Sequence, residues 1–168
     1  MSVGVVYSFK DLVGSITNPV FGQTILLSGG NIGFGSVTIT MATERTTHDT
    51  AADGTVMPSY VAGNSGRLTF VCQQTSLLHK QLLNLYNLCA TQADAFDVTG
   101  WAATNISLQT LLDGSTHKAT GVSFSKIPDK PYEAQGRNVT WELMAANIVQ
   151  TGSALQTAIT SIASGIGL

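Results

Sequence analysis

Charge is what this chain has least of. Lys, Arg, Asp and Glu make up 11% of its 168 residues, less than half of the roughly 25% usual for a soluble protein. Thr, Ser, Asn and Gln stand where Lys and Glu ordinarily keep a monomer soluble, and such a surface is suited to meeting other protein chains. The composition therefore predicts a subunit of an assembly. The net charge is −2 and the eight basic residues are scattered, so no basic stripe is available to grip nucleic acid, which argues against tight DNA binding. No apolar run approaches membrane-spanning length. The opening Met1-Ser2-Val3-Gly4-Val5-Val6-Tyr7 carries no basic segment ahead of a hydrophobic stretch and cleavage site; the product is expected to stay in a cytoplasm, with no membrane partner.

Recognisable chemistry is equally sparse. Only Cys72 and Cys89 are present; in a reducing compartment buried free thiols are the preferred reading, with a strand-to-helix disulfide as the alternative. His48, His79 and His117 are dispersed without a second ligand at metal spacing, so no metal is expected. The run Gly29-Gly30-Asn31-Ile32-Gly33-Phe34-Gly35 fits neither a dinucleotide fingerprint nor a Walker loop. A strand follows it, where phosphate binding would need a helix N-terminus. No Ser or Cys sits in a nucleophile elbow. No catalytic set, no cofactor and no enzymatic activity are expected.

What is present is β alternation. Short, turn-bounded strands read from Val3 to Phe9, Leu12 to Ile16, Gln23 to Leu27, Ser36 to Met41, Arg67 to Cys72, Asn105 to Leu111, Lys118 to Lys126 and Asn138 to Ala145. Asp113-Gly114 between two of them is a hairpin-turn signal. One segment has helical period instead. Thr75 or Ser76 can cap it, Leu78, Leu82, Leu85 and Cys89 form its buried seam with Leu83 and Tyr86 beside it, and His79, Lys80, Gln81, Asn84 and Asn87 fall on the polar side. A β-dominated α+β fold follows, with two packed sheets in a barrel or sandwich and one flanking helix over 75–89.

Between Thr43 and Gly66 the alternation breaks into a polar, Gly-punctuated excursion. It carries Glu44, Arg45, His48, Asp49 and Asp53, then Asp53-Gly54, with Val56, Met57, Tyr60 and Val61 near its tip. It reads as a long hairpin arm projecting between two strands, ordered by contact with a second subunit; a mobile surface loop is the plain alternative. Its carboxylates are expected to be solvated or paired with Arg45 across an interface. Residues 1–150 read as one domain, and 151–168 as an extension in which Leu155, Ile159, Ile162 and Ile166 recur at helical spacing.

The arm ending in Asp53-Gly54-Thr55-Val56-Met57, the run Ala62-Gly63-Asn64-Ser65-Gly66-Arg67-Leu68-Thr69, the helix from Thr75-Ser76 to Leu85-Tyr86-Asn87, and Val122-Ser123-Phe124-Ser125-Lys126-Ile127-Pro128-Asp129 ahead of Trp141-Glu142 resemble the tail tube proteins of contractile-tailed bacteriophages. The resemblance covers most of residues 1 to 146. It implies subunits in six-membered rings stacked into a hollow tube, sheets joined around each ring, and the arm (Glu44, Arg45, Asp49, Asp53, Val56, Met57, Tyr60) bridging to the next ring. It also implies sheath, baseplate and tape measure partners, with DNA passing through the lumen of a virion tail assembled in the host cytoplasm. A conduit must not bind phosphates with Lys and Arg, so polar faces such as Thr38 and Thr40, or Asn105, Ser107 and Gln109, are expected in the lumen lining. Two other readings are a tube of a related contractile injection or type VI secretion machine, and a small ligand-binding β domain; the second would need a concave aromatic cluster around Trp101 and Trp141.

Overall fold

Among the described residues, alternation of apolar and polar positions underlies the strands of one large antiparallel sheet, a separate exposed pair forms within the polar excursion, and the helical period produces one α-helix. The computed structural model describes residues 7–28, 33–95 and 97–152. The strands are β1 (Leu12–Asn18), β2 (Gln23–Ser28), β3 (Phe34–Met41), β4 (Thr46–Thr50), β5 (Val56–Tyr60), β6 (Gly66–Gln73), β7 (Thr104–Thr110), β8 (Thr116–Phe124) and β9 (Asn138–Thr151), with α1 (Leu77–Ala95) between β6 and β7. Seven of them form one sheet in the order β2-β1-β7-β8-β9-β6-β3, and β4 pairs only with β5. The expected strand from Val3 to Phe9 is replaced at its end by a 3-10 turn over Phe9–Asp11; its residues 3–6 lie outside the described residues, as do 153–168 of the C-terminal extension.

The sheet is curled into a half-barrel rather than split into two packed layers. Helix α1 touches both β2, at one edge, and β6, next to the other edge. In a flat sheet those strands would stand five spacings apart, about 24 Å, which exceeds the roughly 10–12 Å width of a helix. Only a curled sheet brings both against one helix. The enclosed face carries Ile16, Ile25, Leu27, Leu68, Phe70, Ile106, Leu108, Val122, Trp141 and Leu143, all buried. Each such side chain contributes on the order of 2 kcal/mol of transfer free energy.

The helix seam forms as its spacing predicts: Leu78, Leu82, Leu85 and Cys89 are buried in this core. Ser76 caps the helix, its Oγ accepting from the His79 amide at 3.1 Å. Both cysteines are free and buried, and burial pushes both thiols' pKa up. Trp101, Tyr86, Phe124 and Trp141 pack together with centroids 5.4 to 6.4 Å apart, so the two tryptophans serve the core. At the end of β1, fully buried Asn18 donates through Nδ2 to the Gly100 carbonyl and to Thr104 Oγ1, both at 3.2 Å, and to Cys89 Sγ at 3.6 Å. Its Oδ1 accepts from the Val20 amide. One amide thus fastens strand, helix and turn with its polar atoms partnered.

His79 departs from the sequence reading. Expected on the polar side of α1, it is buried, and its Nδ1 accepts from Trp141 Nε1 at 3.0 Å. At about 100° per residue it lies on the same flank as Tyr86, and that flank faces Trp141. The period located the seam but not its width. Because Nδ1 is an acceptor, the neutral ring carries its proton on Nε2, which is buried without a partner. Burial first, and the Lys130 charge second, hold its pKa below the ordinary 6.5. Below pH 6.5 the unfolded chain therefore binds a proton that the native chain refuses. The His79 contribution is complete above about 6.5 and is lost as pH falls towards the lowered native value. Urea unfolding between pH 7.5 and 5 should show a loss of stability that His79→Gln, which can still accept from Trp141, does not show.

Candidate assembly surfaces

The residues expected to meet other chains lie on two surfaces, the β4–β5 pair and the outward face of the large sheet. The pair is set by its turn. Gly54 takes φ +88, its amide bonds the Ala51 carbonyl at 2.9 Å, and the Ala51 amide bonds the Thr55 carbonyl at 2.8 Å. Asp53 Oδ1 accepts from the Thr55 amide at 2.9 Å; bonds from the Thr55 amide and hydroxyl lower the Asp53 pKa. Asp113, Gly114 and Ser115 repeat this arrangement between β7 and β8, with Gly114 at φ 76 and Asp113 Oδ1 on the Ser115 amide. In both turns the Gly supplies the left-handed residue and the Asp side chain closes the loop.

Every residue of β4 and β5 is exposed. Their register opposes Thr46 to Tyr60, His48 to Pro58, Asp49 to Met57 and Thr50 to Val56. Directly opposed residues share a face, so Val56 and Tyr60 stand together with His48 and Pro58, while Met57 and Asp49 occupy the other face. His48 was named from sequence only as a member of the arm and Pro58 not at all; the register fixed by the Asp53-Gly54 turn is the signal that places them opposite one another. Arg45 is held within its own chain: it donates to the Tyr60 hydroxyl and to Asn64 Oδ1, and lies 5.7 Å from the Tyr60 ring centroid. The expected pairing with a carboxylate is one between subunits; within the subunit Tyr60 and Asn64 are the partners of Arg45. Glu44 and Asp49 take part in none of the ion pairs found among the described residues. The segment returning from β5 is tied to the body by the Ile148 amide on the Asn64 carbonyl at 2.8 Å and by the Ala42 amide on the Ser65 carbonyl at 3.0 Å.

The second surface unites positions that are remote in sequence. Thr38 and Thr40 on β3, and Asn105, Ser107 and Gln109 on β7, are all exposed and all point away from the core. Cross-strand rows link them to the rest of the sheet. Ser15, Ser107, Lys118 and Val149 form one row, Thr38, Thr69 and Glu142 a second, and Thr40, Arg67, Met144 and Ser123 a third. The charged side chains on this face are Lys118 and the exposed Arg67–Glu142 ion pair. Hydroxyls and amides otherwise prevail, with Leu26, Met144 and Val149 as exposed apolar members. Among the described residues no three His, Cys, Asp or Glu side chains gather into a group that could hold a metal.

The model of the family described as bacteriophage PhiTE tail tube protein matches residues 4–152. No functionally curated protein matches the sequence. Among solved structures, a chain of the anti-feeding prophage baseplate is similar at 12% identity and TM-score 0.57, over 92% of this chain and 99% of that one. The sheath/tube terminator of an extracellular contractile injection system is similar at 12% identity and TM-score 0.55, over 89% and 99%. The anti-feeding prophage tube terminating cap follows at 9% identity and TM-score 0.54, over 91% and 95%. At these identities the likeness is one of fold.

Proposed function

We propose that this chain, which belongs to the bacteriophage PhiTE tail tube protein family, is the repeating subunit of a virion tail tube. Six copies form a ring and rings stack into a hollow conduit, enclosed by a sheath and seated on a baseplate, through which DNA and a tape measure protein pass. The subunit needs no cofactor and performs no catalysis; it is assembled in the host cytoplasm and ends in the virion tail.

The observation that carries this reading is the outward sheet face. Thr38, Thr40, Asn105, Ser107 and Gln109 lie on one continuous surface that is nearly free of unpaired cations, as a lumen passing a phosphate backbone requires. The edges β2 and β3 then find partner strands around the ring instead of water, and the β4–β5 hairpin acts as the arm that reaches the adjacent ring. Negative-stain electron microscopy with sedimentation at several concentrations tests the reading directly: rings or tubes with an open lumen support it, and a monomer at all concentrations, with or without a baseplate nucleus, opposes it. Asn105→Arg with Ser107→Arg should leave tubes intact while reducing infectivity by about tenfold or more, through cations bound to passing phosphates. Full infectivity of particles carrying Arg here and at Thr38 and Thr40 would remove this face from the lumen. A tube of a contractile injection machine, carrying protein cargo, is the second reading, favoured by the shared fold of the chains above; neighbouring genes for capsid and terminase, or for secretion, separate the two.

A further inference from the structure

The outward face of the large sheet holds a hollow beside its unpaired cation, Lys118. A β-bulge makes the hollow. Between Thr104↔Val122 and Ile106↔Ala119 the register of β7 and β8 slips by one, so Asn105 faces both Thr120 and Gly121 across the strands. Gly121 takes φ +63, and a Cβ added to it would stand 2.8 Å from Ala146 Cβ; the bend therefore depends on glycine at this position. The result is a shallow depression of about 240 Å³ lined by Ser15 and Thr17 of β1, Asn105 and Ser107 of β7, and Lys118 and Thr120 of β8.

Each of these side chains can donate a hydrogen bond, and none is a carboxylate. Lys118 enters neither ion pair found among the described residues. The acidic member of the face, Glu142, is bound to Arg67 and stands seven residues along β9 from Val149, the residue opposite Lys118, roughly 23 Å away. Ser107 opposes Lys118 on the other side. An ammonium group, hydroxyls and an amide around a hollow, with no negative charge nearby, favour an anion rich in acceptor oxygens. We propose that this hollow receives a phosphodiester group of the DNA backbone, held by the Lys118 ammonium and the hydroxyls of Ser107 and Thr120; its place in the path of DNA rests on the lumen reading above. A phosphodiester adds ester oxygens to those that carry its charge, in a tetrahedral arrangement that can meet donors on β1, β7 and β8 together, where a carboxylate has only coplanar oxygens to offer. Because Lys118 is exposed, the contact is weak and screened by salt. Made once per subunit, it slows a passing duplex without arresting it.

Binding of a short fluorescent DNA duplex to the full-length chain at low salt, followed by anisotropy, tests the site without requiring a tube. Lys118→Gln should weaken binding about tenfold and reduce the slope of log affinity against log salt by about one. Lys118→Arg should keep both. Lys80→Gln, which removes the same charge from the exposed side of α1, should leave both unchanged. No binding by the unmodified chain, or equal losses from Lys118→Gln and Lys80→Gln, would overturn the proposal; in the second case binding would follow net charge alone. Polyphosphate should displace the duplex. Displacement by polyglutamate in its place would assign the hollow to an acidic protein chain and overturn the proposal as well. In particles, Lys118→Gln should quicken triggered DNA release about twofold or more. Binding that depends on Lys118 together with unchanged release would overturn the contact during passage and take this face out of the lumen. Binding indifferent to Lys118 would strike the site itself and leave the tube reading standing.

Discussion

A Gly14→Ala chain is expected to fail to fold cooperatively, for the sake of one methyl group. A Cβ at Gly14 would stand 2.0 Å from the Ser107 carbonyl oxygen, and 3.0 Å from both Leu108 Cα and Leu108 Cδ2. The nearest obstacle is backbone of the adjoining strand, so no rotamer change relieves it. Strands β1 and β7 must separate, and β1 joins β2 to the rest of the sheet. The six paired positions from Leu12↔Thr110 to Thr17↔Asn105 are then in jeopardy, and Ile16, Ile106 and Leu108 lose their cover. A loss of about 5 kcal/mol or more is expected, comparable with the whole stability of many domains, about 5–15 kcal/mol. The readout is soluble yield and a urea transition that becomes broad or vanishes. Gly136→Ala, where an added Cβ meets nothing within 4 Å, should change the midpoint little. A Gly14→Ala chain with a native-like transition would show that the β1–β7 contact can slide apart without cost.

Gly14 also marks how far the sequence could be read. Its strand was legible from alternation around Ile16, as β7 was from Ile106 and Leu108 and β9 from Val139, Trp141 and Leu143. Nothing local says that the neighbouring strand leaves no room for a Cβ at this glycine of β1, because that room is set by a strand far away in the chain. The same limit hid the curling of the sheet. Periodicity tells which side of each strand is apolar, but one curled sheet and two packed sheets need the same inward faces, and only the reach of α1 from β2 to β6 separates them. The helix seam was legible to its centre, Leu78 to Cys89, and misread at its flank, where Trp141 on another element draws His79 inward. For the surfaces, Asp53-Gly54 predicted a turn because its mechanism is local. The partners of Arg45, Tyr60 and Asn64, follow from the fold around the hairpin.

Removing the β4–β5 hairpin should separate folding from assembly more completely than any point substitution. Residues Thr47 to Ser59 can be replaced by a tight two-residue turn that keeps the Val61 amide on the Arg45 carbonyl, 2.8 Å in the intact chain. Since every residue of both strands is exposed, and β4 and β5 pair only with each other, the core loses no buried side chain. Stability should shift by no more than about 1 kcal/mol. Assembly is another matter. Val56, Met57 and Tyr60 are 46%, 59% and 73% exposed in the isolated subunit. Burying even part of that area against the next ring contributes on the order of 3 kcal/mol per subunit. If six copies act in parallel, as the proposed ring requires, the joint between rings loses about 18 kcal/mol, because the contacts of one rigid ring are made or broken together. Shortened subunits should therefore remain folded by circular dichroism and sediment as monomers or single rings, with no stacked tubes in electron micrographs. Tubes of ordinary length from the shortened chain would mean that ring stacking is carried elsewhere; the exposed Ile127 and Tyr132 of the β8–β9 connection would be the next segment to remove. Loss of the fold itself would contradict the exposure of β4 and β5, so the two measurements together distinguish a failed joint from a failed subunit.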